Sequence, residues 1–121
     1  MSIDFDYPLA EEITRNVAAA LAEDIGAGDL TASLVPANCR VEATVISREA
    51  GVLCGIAWFE RCVSELDPTA RIEWQAQDGD RISPNQMLCR ITADARALLT
   101  AERSALNFLQ LLSAVASKAR I

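Results

Sequence analysis

The chain has 121 residues, 11 Lys plus Arg against 17 Asp plus Glu, a formal charge of −6 and no histidine. That length suits one domain with its own core, and the acidic balance excludes a surface built broadly to hold nucleic acid, which needs clustered cations. Without histidine the commonest general base and metal ligand is missing, and no Ser–His or Cys–His nucleophile can form.

Pro8 fits the first turn of a helix, where its missing N–H costs nothing. Leu9, Ile13, Val17 and Leu21 then recur every four residues as one apolar stripe. Gly26 and Gly28 are expected to end that helix, and Asp29-Leu30-Thr31 reads as a capped turn leading towards Pro36. Val41, Ala43 and Val45 alternate with Glu42 and Thr44, the period-two pattern of a half-buried strand. The glycine-bounded run 51–55 is short and strand-like. Ile56, Phe59, Val63 and Leu66 return to helical spacing, and Pro68 closes that helix.

Ile72, Trp74 and Ala76 predict another strand, Asp78-Gly79-Asp80 a turn, and Met87, Cys89 and Ile91 a further strand. From Ala95 runs the longest regular stretch. Arg96, Thr100, Arg103, Asn107 and Gln110 form one polar stripe on a helix that is otherwise apolar, so protein should cover most of its sides and the stripe should face a cleft. No glycine or proline stop closes this helix within 114–121. The strand-rich middle flanked by helices predicts an α+β fold, an open-faced sandwich with an antiparallel sheet of about four strands covered by helices on one face.

Cys39, Cys54, Cys62 and Cys89 form no Cys-x-x-Cys pair, so we expect four free, buried thiols in a reducing cytoplasm. No signal peptide and no run long enough for a membrane span is visible. Carboxylate pairs occur at Glu23-Asp24 and at Asp78 and Asp80, where solvated or structural roles outweigh acid–base chemistry. Arg103 is the residue that chemistry singles out. A guanidinium on the narrow polar stripe of an apolar helix needs a partner, either Glu102, Glu49, a neighbour's acid or solvent, or else a carboxylate or phosphate ligand suited to its planar fork.

LAEDIGAGDLT at 21–31, AGVLCG at 50–55, DGDRI at 78–82 and LLTAERSALNFLQLLSAVAS at 98–117 together resemble the quinolinate phosphoribosyltransferase family, also called carboxylating nicotinate-nucleotide pyrophosphorylases. The block 101–110 is the most specific part, and DGD before a strand the weakest. The resemblance implies an enzyme that joins quinolinate to phosphoribosyl pyrophosphate with Mg²⁺ and releases pyrophosphate and CO₂, giving nicotinate mononucleotide for NAD biosynthesis. It further implies an N-terminal sandwich followed by an incomplete α/β barrel, in a homodimer whose sites lie between subunits.

By that match, residues 1–112 correspond to the sandwich and 113–121 to the start of the connection into the barrel. The barrel has no counterpart in 1–121, so the chain is expected to be a truncated form or fragment, inactive alone, with no catalytic residue and no metal or Mg²⁺ ligand of its own. Arg103 matches the family arginine that binds a quinolinate carboxylate in the partner's site, and Glu102 and Asn107 would orient or pack the helix. The family commonly has glycine where this chain has Asn85, Ala93 and Ala114, and threonine at Ser117. Asparagine is the mildest replacement if φ is positive, whereas alanine would strain such a position or crowd a close approach. Two other readings are a catalytically inert dimerisation or interaction module and a molybdate-uptake-linked paralogue of the same family.

Overall fold

The computed structural model describes residues 9–32 and 38–119, with side chains placed at 10–23 and 38–118. Helix α1 (Leu9–Ala32) leads into β1 (Arg40–Ile46) and a short β2 (Gly51–Val52). Helix α2 (Ile56–Leu66), β3 (Arg71–Trp74), β4 (Arg81–Ile82) and β5 (Met87–Asp94) follow, and α3 (Ala95–Ala119) comes last. The α+β class is as expected. The strands, however, do not form one sheet of four: β1, β5 and β3 make a three-stranded antiparallel sheet in that order, and β2 and β4 pair separately.

Register explains why the sheet is open-faced. Val41 lies opposite Ala93, Ala43 opposite Ile91 and Val45 opposite Cys89, while Ile72 and Trp74 of β3 face Ile91 and Cys89 from the other side. Because side chains alternate across a strand, these residues share one apolar face. Glu42, Thr44, Arg71, Glu73, Arg90 and Thr92 share the other, and Arg90 Nε sits 3.3 Å from Glu42 Oε1 there. The inner face is covered unevenly. Cys89, Ile91 and Ala93 of the central strand are buried, whereas Val41, Ala43 and Val45 of the edge strand are half-buried.

The helices supply the rest of the core. Val17 and Leu21 of α1, Phe59, Cys62 and Val63 of α2, and Ala101, Ala105 and Leu109 of α3 pack into one cluster with the sheet. Phe59 meets Trp74 edge-on, with centroids 5.3 Å apart. Helix α2 begins and ends where its pattern predicts: Gly55 at φ 102° turns the chain in, and Asp67 ends it before Pro68. Helix α1 does not. Its backbone stays helical through Gly26 and Gly28 to Ala32, since a glycine inside a helix costs only about 1 kcal/mol and does not forbid it. Pro8 and Pro36 lie outside the described residues. Strand β3 stops at Trp74, so the predicted extension to Ala76 is not strand, although Ala76 is still buried.

The departures from the family pattern now have structural readings. Asn85 sits at φ 66°, a conformation asparagine tolerates better than most residues. Ala93 and Ala114 are in regular strand and helix, and neither has positive φ, so no left-handed strain arises. All four cysteines are free, but they are not all buried as expected: Cys39 is exposed and Cys54 half-buried. Cys39 falls just before β1, outside the apolar alternation that buries Cys89. Burial pushes the Cys89 thiol up to about 12.

Candidate functional site

Helix α3 carries the predicted site residue, and both its ends are fastened. At the start, Asp94 is its cap: Oδ2 accepts the Ala97 N–H at 3.1 Å, and Ala95 N–H donates to the Cys39 carbonyl at 2.7 Å. Asp94 is in turn held by Asp67, a carboxylate 7% exposed. Asp67 Oδ2 accepts the Asp94 N–H at 2.9 Å, and Oδ1 accepts the Thr69 N–H at 3.0 Å and its hydroxyl at 2.6 Å. Arg40 reaches Oδ2 from 3.4 Å and also donates to Thr69. The hydrogen bonds, the Thr69 hydroxyl's first, hold the Asp67 carboxyl below its ordinary 3.8. Sequence reading passed over Asp67. An Asp-Pro-Thr run after a helix, in which Asp accepts from residue i+2, was the signal available.

At its far end α3 meets the 51–55 segment through Ser113 and Ser117. The Ser113 hydroxyl accepts the Cys54 N–H at 2.9 Å and donates to the Cys54 carbonyl at 3.0 Å. The Ser117 hydroxyl accepts the Val52 N–H at 2.8 Å and donates to the Ser113 carbonyl at 2.7 Å. A Cβ on Gly51 would lie 2.7 Å from the Ser117 Oγ, so only glycine allows this approach.

Arg103 lies between the two fastenings, exposed on the outward face with Arg96 and Asn107. A cleft of about 700 Å³ opens beside α3, with Glu102, Leu106, Gln110 and Ser113 in its helical wall and Leu53 and Phe59 on its floor. Of the predicted polar stripe, Gln110 is in that wall, whereas Arg96, Arg103 and Asn107 are not. Arg103 shares its side of the helix with Gln110, two turns away, yet is not among the residues that line the cleft. The expectation that the whole stripe faces a cleft is therefore corrected within this chain. A second cavity of about 500 Å³ between α1 and α2 does not include Arg103 either.

The acidic pair in the 78–80 turn is structural. Asp78 Oδ1 accepts the Ile56 N–H at 3.2 Å at the start of α2, and Asp80 Oδ2 accepts the Gln77 N–H at 2.8 Å. Burial and the nearby Asp78 charge raise the Cys54 thiol. Among the described residues, no group of three or more cysteine or acidic side chains is placed to hold a metal ion. No helix of the described residues is long and apolar enough to cross a membrane.

Comparison with known proteins bears on what such a helix is for. Residues 29–113 match the family model described as quinolinate phosphoribosyl transferase, N-terminal domain. The chain belongs to that family. It is 33% identical over 104 residues to the carboxylating nicotinate-nucleotide pyrophosphorylase of Arabidopsis thaliana, covering 84% of this chain and 30% of the relative. It is 35% identical over 100 residues to quinolinate phosphoribosyltransferase [decarboxylating] 1b of Nicotiana tabacum, covering 81% and 29%. The solved nicotinate-nucleotide pyrophosphorylase of Francisella tularensis superposes with a TM-score of 0.82 at 37% identity, over 87% of this chain and 37% of that one. The chain thus spans about a third of the relatives it matches. The matched family segment contains the whole path from the 51–55 segment to Ser113, Arg103 included.

Proposed function

We propose that this domain serves a quinolinate phosphoribosyltransferase of NAD biosynthesis, and that Arg103 binds a carboxylate of quinolinate in a site completed by a partner subunit. The observation that carries the reading is the placement of Arg103: an exposed residue on a helix fastened at both ends, outside the lining of its own domain's cleft. Quinolinate is a dianion, and a guanidinium fork fits a carboxylate, each charged hydrogen bond contributing about 1.5–3 kcal/mol. Helix α3 also exposes Leu99 by 41%, Leu111 by 63% and Val115 by 59%, as suits a helix that meets another subunit in a homodimer.

In this reading residues 1–112 are the sandwich, 113–121 begin the connection to a barrel, and this domain contributes binding rather than catalytic groups. Phosphoribosyl transfer and Mg²⁺ binding belong to other parts of the enzyme. A reducing, cytoplasmic setting agrees with four free thiols.

A chimera in which this domain replaces the matching segment of the Francisella tularensis enzyme tests it. The chimera should turn over quinolinate, and Arg103→Ala should raise KM for quinolinate at least about tenfold, the effect of losing one charged hydrogen bond. An unchanged KM would sink the assignment of Arg103.

A further inference from the structure

Ser113 and Ser117 use their hydroxyls as a strand would use its edge. A four-residue step along a helix rises about 6 Å. A two-residue step along a strand covers about 6.6 Å. The two repeats nearly coincide, so hydroxyls at i and i+4 of α3 can meet the outward-pointing groups of residues 52 and 54. The Ser113 hydroxyl accepts from and donates to Cys54, and the Ser117 hydroxyl accepts from Val52 while donating back to the Ser113 carbonyl of its own helix. Gly51 and Gly55 bracket the contact, and a Cβ at Gly55 would come within 3.0 Å of Leu112 Cδ1.

Apolar contacts along α3, such as those of Ala105 and Leu109, are not directional and tolerate small shifts. Hydrogen bonds are directional. Slipping α3 by a single residue would turn it by about 100° and carry both hydroxyls away from their partners. The serine pair therefore fixes how far along its axis, and at what rotation, the helix sits.

We infer that Ser113 and Ser117 are positioning residues that set the register of α3 and thereby the height and direction at which Arg103 is presented. The inference rests on the reading of Arg103 given above. Arg103 is ten residues, about 15 Å, up the same continuous helix, so an error in register at the serines is passed to it undiminished. Glu102 and Gln110 would shift in the cleft wall by the same movement.

Two measurements test this. In the 121-residue chain, Ser113→Ala with Ser117→Ala should speed amide exchange at Val52 and Cys54 about tenfold while Cys89 and Ile91 keep wild-type rates. Unchanged rates at Val52 and Cys54 overturn the inference. In the Francisella chimera the same double variant should raise KM for quinolinate about three- to tenfold with kcat within about twofold, and Ser117→Thr, which keeps the hydroxyl, should stay near wild type. If Arg103→Ala raises KM and the double variant does not, the positioning role is overturned and the reading of Arg103 stands. If neither changes KM, the reading of Arg103 falls and the positioning role with it.

Discussion

The two ends of α3 are held by different chemistry. Its start is gripped through an ionised network, with the Asp67 carboxylate accepting from Thr69 and Asp94 and drawing in Arg40. Its far end is gripped by neutral serine hydroxyls on a backbone segment with a glycine at either side. Charge makes the first grip strong and sensitive to acid. The second is individually weaker and indifferent to pH, but it depends on close approach, so bulk rather than protonation breaks it. Arg103 lies between them on the same helix.

The largest effect is expected at the charged end. Asp67→Ala leaves the Asp94 and Thr69 N–H groups without their acceptor and Arg40 without its carboxylate. Because a hydrogen bond to a charged acceptor contributes about 1.5–3 kcal/mol and two N–H groups lose theirs, chemical denaturation should show a loss of about 3–5 kcal/mol. A loss below about 1 kcal/mol would mean that solvent replaces the carboxylate and that the two ends do not differ in strength. Next comes Gly55→Ala at the other end. It forces a side chain to φ 102° and against Leu112, for which about 1–3 kcal/mol is expected from strain and crowding.

Acid should separate the ends directly. The folded Asp67 carboxyl titrates below its ordinary 3.8. Its contribution is therefore fully present above that value and is lost as pH falls through the lower folded value. The stability gap between wild type and Asp67→Asn should stay constant while the pH is well above 3.8 and narrow as it falls below that value. The gap between wild type and the double serine variant should stay constant throughout. Parallel behaviour of the two gaps would show that the Asp67 network is not the acid-sensitive grip.

Much of this was legible in the sequence, for definable reasons. Period-two alternation located β1 and β5, the Ile56–Leu66 spacing located α2, and the polar stripe located the exposed side of α3, because each follows from burial of one face. What failed was what burial does not determine. Gly26 and Gly28 looked like helix ends, yet glycine is permissive rather than prohibitive inside a helix. The division into three strands and two depends on long-range pairing such as Gly51 with Ile82. Arg103 was visible as an oddity of pattern, while Asp67 and the serine pair were not. The serines' partners lie 59 or more residues away, and the local Asp-Pro-Thr signal marks the Thr69 contacts of Asp67 but not its hold on Asp94, 27 residues on.

The smallest expected effect uses thiols already in place. Cys39 stands at the start of α3, where its carbonyl accepts the Ala95 N–H, and Cys54 stands at the far end, where its backbone is bound to Ser113. Cys39 is exposed, and Cys54 is half-buried with its thiol raised by burial and by Asp78. Because the thiolate is the reactive form, a disulfide reagent near neutral pH should label Cys39 first, Cys54 more slowly and Cys89 last. Removing both serine hydroxyls should speed Cys54 by about two- to fivefold, since freeing its backbone exposes the thiol to local opening, and should leave Cys39 unchanged. Equal acceleration of both thiols would show that α3 loosens as a whole. The two ends would then be one cooperative unit, and the contrast between a charged grip and a neutral one would concern strength alone.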